Sequence, residues 1–291
     1  MTELAAAPER RWSIGNLEQR VQRWFWRRSR RRAALSLSLV LFIWQFGATS
    51  AGWLGYRLPW LGQLPPPADV LVAWLDLALE PSYWLSWLAS GARVAMGFAA
   101  ALSIGVPFGL LLADFAWFRG VAHPVFELLR PVPPLAWVPA AIIFWPTQEL
   151  SIAFVIFLGA FYPIVINVLG GARELDVRLL QTARSLGASR WQILRRLLWP
   201  AVLPSLAVGM EVGIGITWEV VVAAEMISGG GSGGAAAAGG GLGFLIWSSY
   251  VGGSYPQIVV GMASIGLAGY ASSALLRWVG TRLTPWRESD T

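Results

Sequence analysis

The chain is 291 residues long, 56% of them hydrophobic before its 32 glycines are counted and only 13% charged, about half the charged share of a soluble domain. Too few polar side chains remain to cover a water-facing surface of that size, which excludes an ordinary soluble protein. The formal charge of +6 rests on 22 basic residues, all arginine; lacking lysine, the chain cannot form a Walker A phosphate loop, and with no cysteine and a single histidine, His123, it cannot form disulfides, thiolate nucleophiles or multi-histidine metal sites.

In chain order, residues 1–32 form a basic N-terminal segment with nine arginines, from Arg10 to Arg32, directly before the apolar run Ala33–Leu54. The basic stretch is too long, and the run too close to spanning length, for a cleaved signal peptide, so a retained helix is expected. Residues 33–83 are read as this first membrane helix and an external loop, in which Pro65, Pro66 and Pro67 precede an amphipathic stretch, Ala68–Leu79. Pro67 at a helix start and Asp69 in its first turn favour a short surface helix there.

Five more runs near the roughly 20 residues that a bilayer requires follow: Trp84–Ala113, Pro124–Trp145, Ile152–Gly170, Ala201–Met226 and Ile258–Val279. With six spans, 19 arginines fall on one side and Arg57 alone on the other, while Arg93 and Arg130 lie within spans. Arginine concentrated on one side marks the cytoplasm, so both termini are expected inside, including the tail 280–291. Arginines gathered at the ends of apolar runs also argue for a lipid bilayer and against nucleic acid. The Gly/Ala stretch Gly229–Gly243 has almost no side chains to pack and is expected to be a flexible outer loop.

Ionisable groups inside spans are costly and carry functional hypotheses. Glu127 and Arg130 stand three apart and can pair on one helix. Pro131, Pro133, Pro134 and Pro139 then break regular hydrogen bonding, and such backbone is tolerated at membrane depth only under protein or beside a cavity. The segment from Arg130 through Trp137 to Pro139 is therefore the first candidate for a passage lining. In the fifth span, helical periodicity places Glu211, Glu219 and Glu225 on one broad side, where they either line a passage or pair with Arg93 or a neighbouring helix.

The long inner connection, residues 172–200, reads as two short helices broken at Gly187, with Ser189 able to cap the second. Such an element can fit a groove on another protein or lie on lipid headgroups. It also carries a resemblance. The permeases of binding-protein-dependent ABC importers have a cytoplasmic signature of Glu-Ala-Ala, three residues, Gly, nine residues, and Ile-x-Leu-Pro. Here the corresponding positions are Gln181-Thr182-Ala183, Gly187 and Leu197-Leu198-Trp199-Pro200, with Ala183, Gly187 and Pro200 matching. Leu128 to Pro139, Ala183 to Arg190 and Ala223 to Met226 resemble the nitrate, sulfonate, taurine and bicarbonate branch in particular.

The resemblance implies an all-α polytopic membrane protein with six transmembrane helices and the type I ABC importer permease fold, its core spanning 84–279. It implies a bacterial plasma (inner) membrane protein, not an enzyme, that binds no cofactor because ATP is held by a partner. The implied partners are cytoplasmic ABC ATPase subunits, an external or periplasmic substrate-binding protein and a second permease copy, as a homodimer. Gln181, Thr182, Ala183, Gly187, Ala188, Ser189 and Pro200 would form the coupling element; Arg130, Pro131, Pro133, Pro134, Trp137, Glu211, Glu219 and Glu225 would line the passage. Two rival readings are an ion-coupled secondary transporter using the intramembrane carboxylates and an importer permease for a different small solute. A membrane-embedded enzyme would have little beyond carboxylate chemistry to work with.

Overall fold

Apolar runs of spanning length become long helices, because in lipid each backbone N–H and C=O must be satisfied within its own segment. The computed structural model describes residues 32, 34–227 and 240–286, and no strand occurs among them. The chain divides into two compact units, before and after the Val70–Leu71 bond.

In the first unit α1, Ala34–Ala48, ends where Thr49 turns its hydroxyl back to the Gln45 carbonyl (2.9 Å). A short helix, Ser50–Leu54, follows and stops at Gly55. The first expected span is thus interrupted at Thr49, and the basic residues before Arg32 lie outside the described residues. The expected surface helix is α2, Pro67–Ala78, with Pro67 at its first position and Asp69 in its first turn.

The second unit contains α3 (Pro81–Asp114), α4 (Ala116–Leu129), α5 (Pro134–Phe144), α6 (Gln148–Arg173), α7 (Val177–Ser185), α8 (Arg190–Ile227), α9 (Leu242–Val251) and α10 (Tyr255–Leu283). Four of these, α3, α6, α8 and α10, are each long and apolar enough to cross a membrane, and α4 with α5 would make a fifth if the bent pair counts as one span. The run Pro124–Trp145, expected as one span, is in fact two helices meeting at 92°. The cause is local: Pro131, Pro133 and Pro134 cannot donate backbone hydrogen bonds, so the chain leaves α4 at Arg130 and re-enters through a 3₁₀ turn, Pro134–Trp137.

The central helix is α6, flanked by α3 and α8. Between apolar helices in lipid no hydrophobic force favours contact, so association depends on close packing at small residues. On α3, a Cβ at Gly97 would lie 2.5 Å from Ile156 Cγ2, and one at Gly109 would lie 2.7 Å from Val168 Cγ1. Between α6 and α8, Gly209 packs against Asn167 in the same manner. Around these contacts Val94, Ile156, Ile164, Val168, Val202 and Val221 form the buried core.

The C-terminal end of α3 is closed by Arg119, whose guanidinium donates to the Leu112 carbonyl (2.7 Å) and to that of Ala113. A cation there satisfies orphan carbonyls and suits the negative end of the helix dipole. At the opposite end of α3, the buried Tyr83 hydroxyl bonds Ser264 of α10 at 2.7 Å. Within α8 the segment Leu194–Leu198 is π-helical, and the Trp199 N–H reaches back five residues to the Leu194 carbonyl. Pro200, which has no N–H for the Arg196 carbonyl, directly follows this widened turn.

Candidate functional site

Three features of the second unit bear on function, and each is built from local chemistry. The connection between α6 and α8 is the first. Asp176 caps α7 by accepting from the Arg178 N–H (2.8 Å), and the Thr182 hydroxyl donates to the Arg178 carbonyl (2.8 Å). The helix ends in a Schellman arrangement: Gly187 is left-handed (φ 77°), its N–H donates to the Arg184 carbonyl (2.9 Å), and the Ala188 N–H donates to that of Ala183 (3.0 Å). Ser189 and Gln192 then form a reciprocal capping box that starts α8. The expected break at Gly187 and cap at Ser189 are thus both present. Gln181 and Thr182 are exposed, and so are the apolar Val177, Leu179, Leu186 and Trp191, with Leu186 82% open.

The second feature is the proline elbow. Arg130 lies 3.5 Å from Glu127 one turn earlier, with both side chains about half exposed, so the pair is weak. Pro131 and Pro133 are exposed and Pro134 is partly covered. Trp137 packs against both core clusters, and its indole N–H is buried without a partner among the described residues.

The third feature is the set of intramembrane carboxylates, which the structure separates. Glu211 pairs with Arg277 of α10. Together with the exposed Glu219, Tyr270 and Ser273, this pair lines an open recess of about 600 Å³. Glu219 has no partner among the described residues.

Glu225 is elsewhere, fully buried, so the broad common side expected for the three carboxylates does not hold: periodicity gives their angular spread but not which neighbour covers each sector. The Glu225 carboxylate accepts from Arg93 Nη1 (2.7 Å), the Ser90 hydroxyl (2.8 Å) and the Gly243 N–H (2.9 Å). Ser90 in turn accepts from the Leu242 N–H (2.8 Å), and Arg93 Nη1 also donates to the Gly240 carbonyl (3.1 Å). Gly241 is left-handed (φ 99°) and lies against the Glu225 carboxylate with no room for a Cβ. Residues 240–243, expected as the end of a loose loop, are therefore buried; residues 228–239 lie outside the described residues.

The far side of Arg93 holds Glu149 bidentately, Nε to Oε2 at 2.8 Å and Nη2 to Oε1 at 2.6 Å. Sequence reasoning missed Glu149 because it precedes the apolar run of its helix. The available signal was an acid in the first turn of a span whose neighbour carries a buried arginine.

A bundle of apolar helices with an exposed helical connection and ion pairs inside its spans defines a polytopic membrane transport component. Residues 105–289 match the binding-protein-dependent transport system inner membrane components, and the chain belongs to that family. It is 31% identical over 263 residues to the nitrate import permease protein NrtB of Synechocystis sp., covering 87% of this chain and 89% of that one. It is 33% identical over 278 residues to the taurine transport system permease protein TauC of Escherichia coli, covering 93% and 95%. These relatives are transport permeases, not enzymes. In fold, the chain is similar to the MetNI methionine ABC transporter in an inward-facing conformation, with a TM-score of 0.54 at 22% identity over 71% of this chain and 97% of that one.

Proposed function

We propose that this chain is the pore-forming permease subunit of an ATP-driven importer for a small oxyanion of the nitrate, sulfonate or bicarbonate class. It works by alternating access as a homodimer, with six spans and both termini in the cytoplasm of a bacterial inner membrane. The observation that carries the reading is the connection between α6 and α8. Its backbone is fixed by a Schellman turn and a capping box while its apolar side chains stay exposed, the form of an element that docks into a partner's groove. That partner is an ABC ATPase subunit, which binds and hydrolyses ATP; an external binding protein delivers the solute. ATP binding acts by favouring one pore state over the other, which is what a switch needs.

The oxyanion class follows the nitrate and taurine relatives and agrees with the charge balance. Glu225 pairs with Arg93, Glu211 with Arg277 and Glu127 with Arg130, so Glu219 is the one of these four carboxylates with no arginine beside it. With three of the four paired to arginine, these carboxylates repel an anion less than four free ones would. Arg130, half exposed, provides a weak donor at the elbow, and passage requires weak binding.

Two measurements test the reading. A valine at Gly187 is strained by the left-handed backbone alone, since no other atom lies within 4 Å of the position, at a cost of about 1–2 kcal/mol or more. Gly187→Val should abolish substrate-stimulated ATP hydrolysis in the reconstituted complex while leaving membrane insertion intact, and Gly187→Asn, which tolerates that conformation, should retain it. Equal stimulation in the two variants would reject the docking role. Separately, Arg130→Gln should lower transport velocity about five-fold, the loss of roughly 1 kcal/mol, without changing binding-protein affinity. Transport of a cation by the unmodified complex would reject the oxyanion class and promote Glu219.

A further inference from the structure

Arg93 serves two carboxylates that differ in how they are held. Glu225 is fully buried and has donors from Ser90 and Gly243 besides Arg93. Glu149 is bound by Arg93 alone among the described residues, and its side chain is 53% exposed while that of Arg93 is 7% exposed. One guanidinium with two carboxylates carries a net charge of −1, so the second carboxylate is not needed to neutralise Arg93. Glu149 also projects from the first turn of α6, where helix N–H groups add attraction for negative charge whichever group supplies it.

We propose that the Nε/Nη2 edge of Arg93 is an oxyanion site whose resident occupant is Glu149, and that a carboxylate, nitrate or sulfonate takes the place of Glu149 there. The edge presents two parallel N–H donors, the fork that matches two oxygens of such an anion. The exchange replaces one anion by another at the fork, so Arg93 keeps both hydrogen bonds, while Glu149 swings into the exposed space it already borders. The Glu225 carboxylate and the Gly240 carbonyl hold the guanidinium in place throughout. The site lies at the end of the bundle remote from the α6–α8 connection. A role for it in transport rests on the importer reading; its existence does not.

The test uses the purified full-length permease without ATPase or transport. Thermal unfolding midpoints are compared in chloride, formate, nitrate and methanesulfonate at equal ionic strength for the wild type and Glu149→Ala. The alanine variant should melt lower than wild type in chloride and recover on adding formate or nitrate, with saturation in the millimolar range. Wild type should need at least ten-fold more anion for the same response, because Glu149 competes. Glu149→Gln keeps the shape of the side chain without its charge, so the same series is read on it if the alanine variant does not fold. Midpoints in the Glu149 variants that do not distinguish the oxyanions from chloride, or that change in parallel with wild type, would overturn the site. Failure of the importer reading would show instead as ATP hydrolysis indifferent to substrate, a separate readout.

Discussion

Replacing Arg93 by alanine should prevent the permease from accumulating as a folded protein. The substitution leaves Glu225, with no exposure to solvent, without its guanidinium, and removes the donor that binds the Gly240 carbonyl. Removing one partner of a buried ion pair costs about 3–5 kcal/mol, a large share of the roughly 5–15 kcal/mol by which whole domains are stable. The loss should therefore be seen as a collapse of the monodisperse peak when solubilised membranes are run on a sizing column. Adding Glu225→Gln to Arg93→Met should restore part of it, since the amide oxygen of the substituted side chain could still accept from Ser90 and the Gly243 N–H. Glu149→Ala should cost much less, because its carboxylate is half in solvent and Arg93 keeps Glu225. An Arg93→Ala permease as abundant and as stable as wild type would show that the buried network contributes little.

The second large effect is expected at Gly97. Its missing Cβ would fall 2.5 Å from Ile156 Cγ2 and 3.0 Å from the Ala153 carbonyl oxygen, and a backbone oxygen within the α6 hydrogen-bond ladder cannot rotate away. Valine adds two further methyl groups, so α3 and α6 must separate along the contact that holds the core. Overpacking of this kind costs about 1–3 kcal/mol, occasionally more. Gly91→Val, six residues earlier on the same helix with nothing within 4 Å, changes helix propensity equally and should be nearly silent. The difference in unfolding midpoint between the two variants isolates the contact, and Ile156→Ala should recover part of the Gly97→Val loss. Equal midpoints for the two variants would remove the close-packing account of the α3–α6 interface.

The features read correctly from the sequence are those decided within a few residues. Apolar length locates α3, α6, α8 and α10; Pro131 to Pro134 locate the break after α4; Gly187 and Ser189 specify the turn between α7 and α8 by chemistry that closes within a few residues. The features that were not legible depend on how helices are staggered. Arg93 and Glu149 are 56 residues apart, and their meeting depends on the axial offset of α3 against α6, which neither composition nor periodicity encodes. The same holds for the parting of Glu225 from Glu211 and Glu219. Residues 240–243 were hidden for a different reason. They are held by the backbone groups of Gly240, Leu242 and Gly243 and by the fully buried Leu242 side chain, so a composition that suggests looseness describes a tightly bound stretch.

The π turn at Leu194–Leu198 gives α8 one residue of slack in its length. Deleting a residue there would let the widened turn close to an ordinary α turn, and every position from Trp199 to Ile227 would keep its angular phase relative to the α6–α8 connection. The same deletion between Leu206 and Val221 has no such reserve: everything beyond it would rotate by about 100°, swinging Glu225 away from Arg93. A one-residue deletion within these five residues should therefore spare the phase between the connection and the ion network, and one beyond them should destroy it.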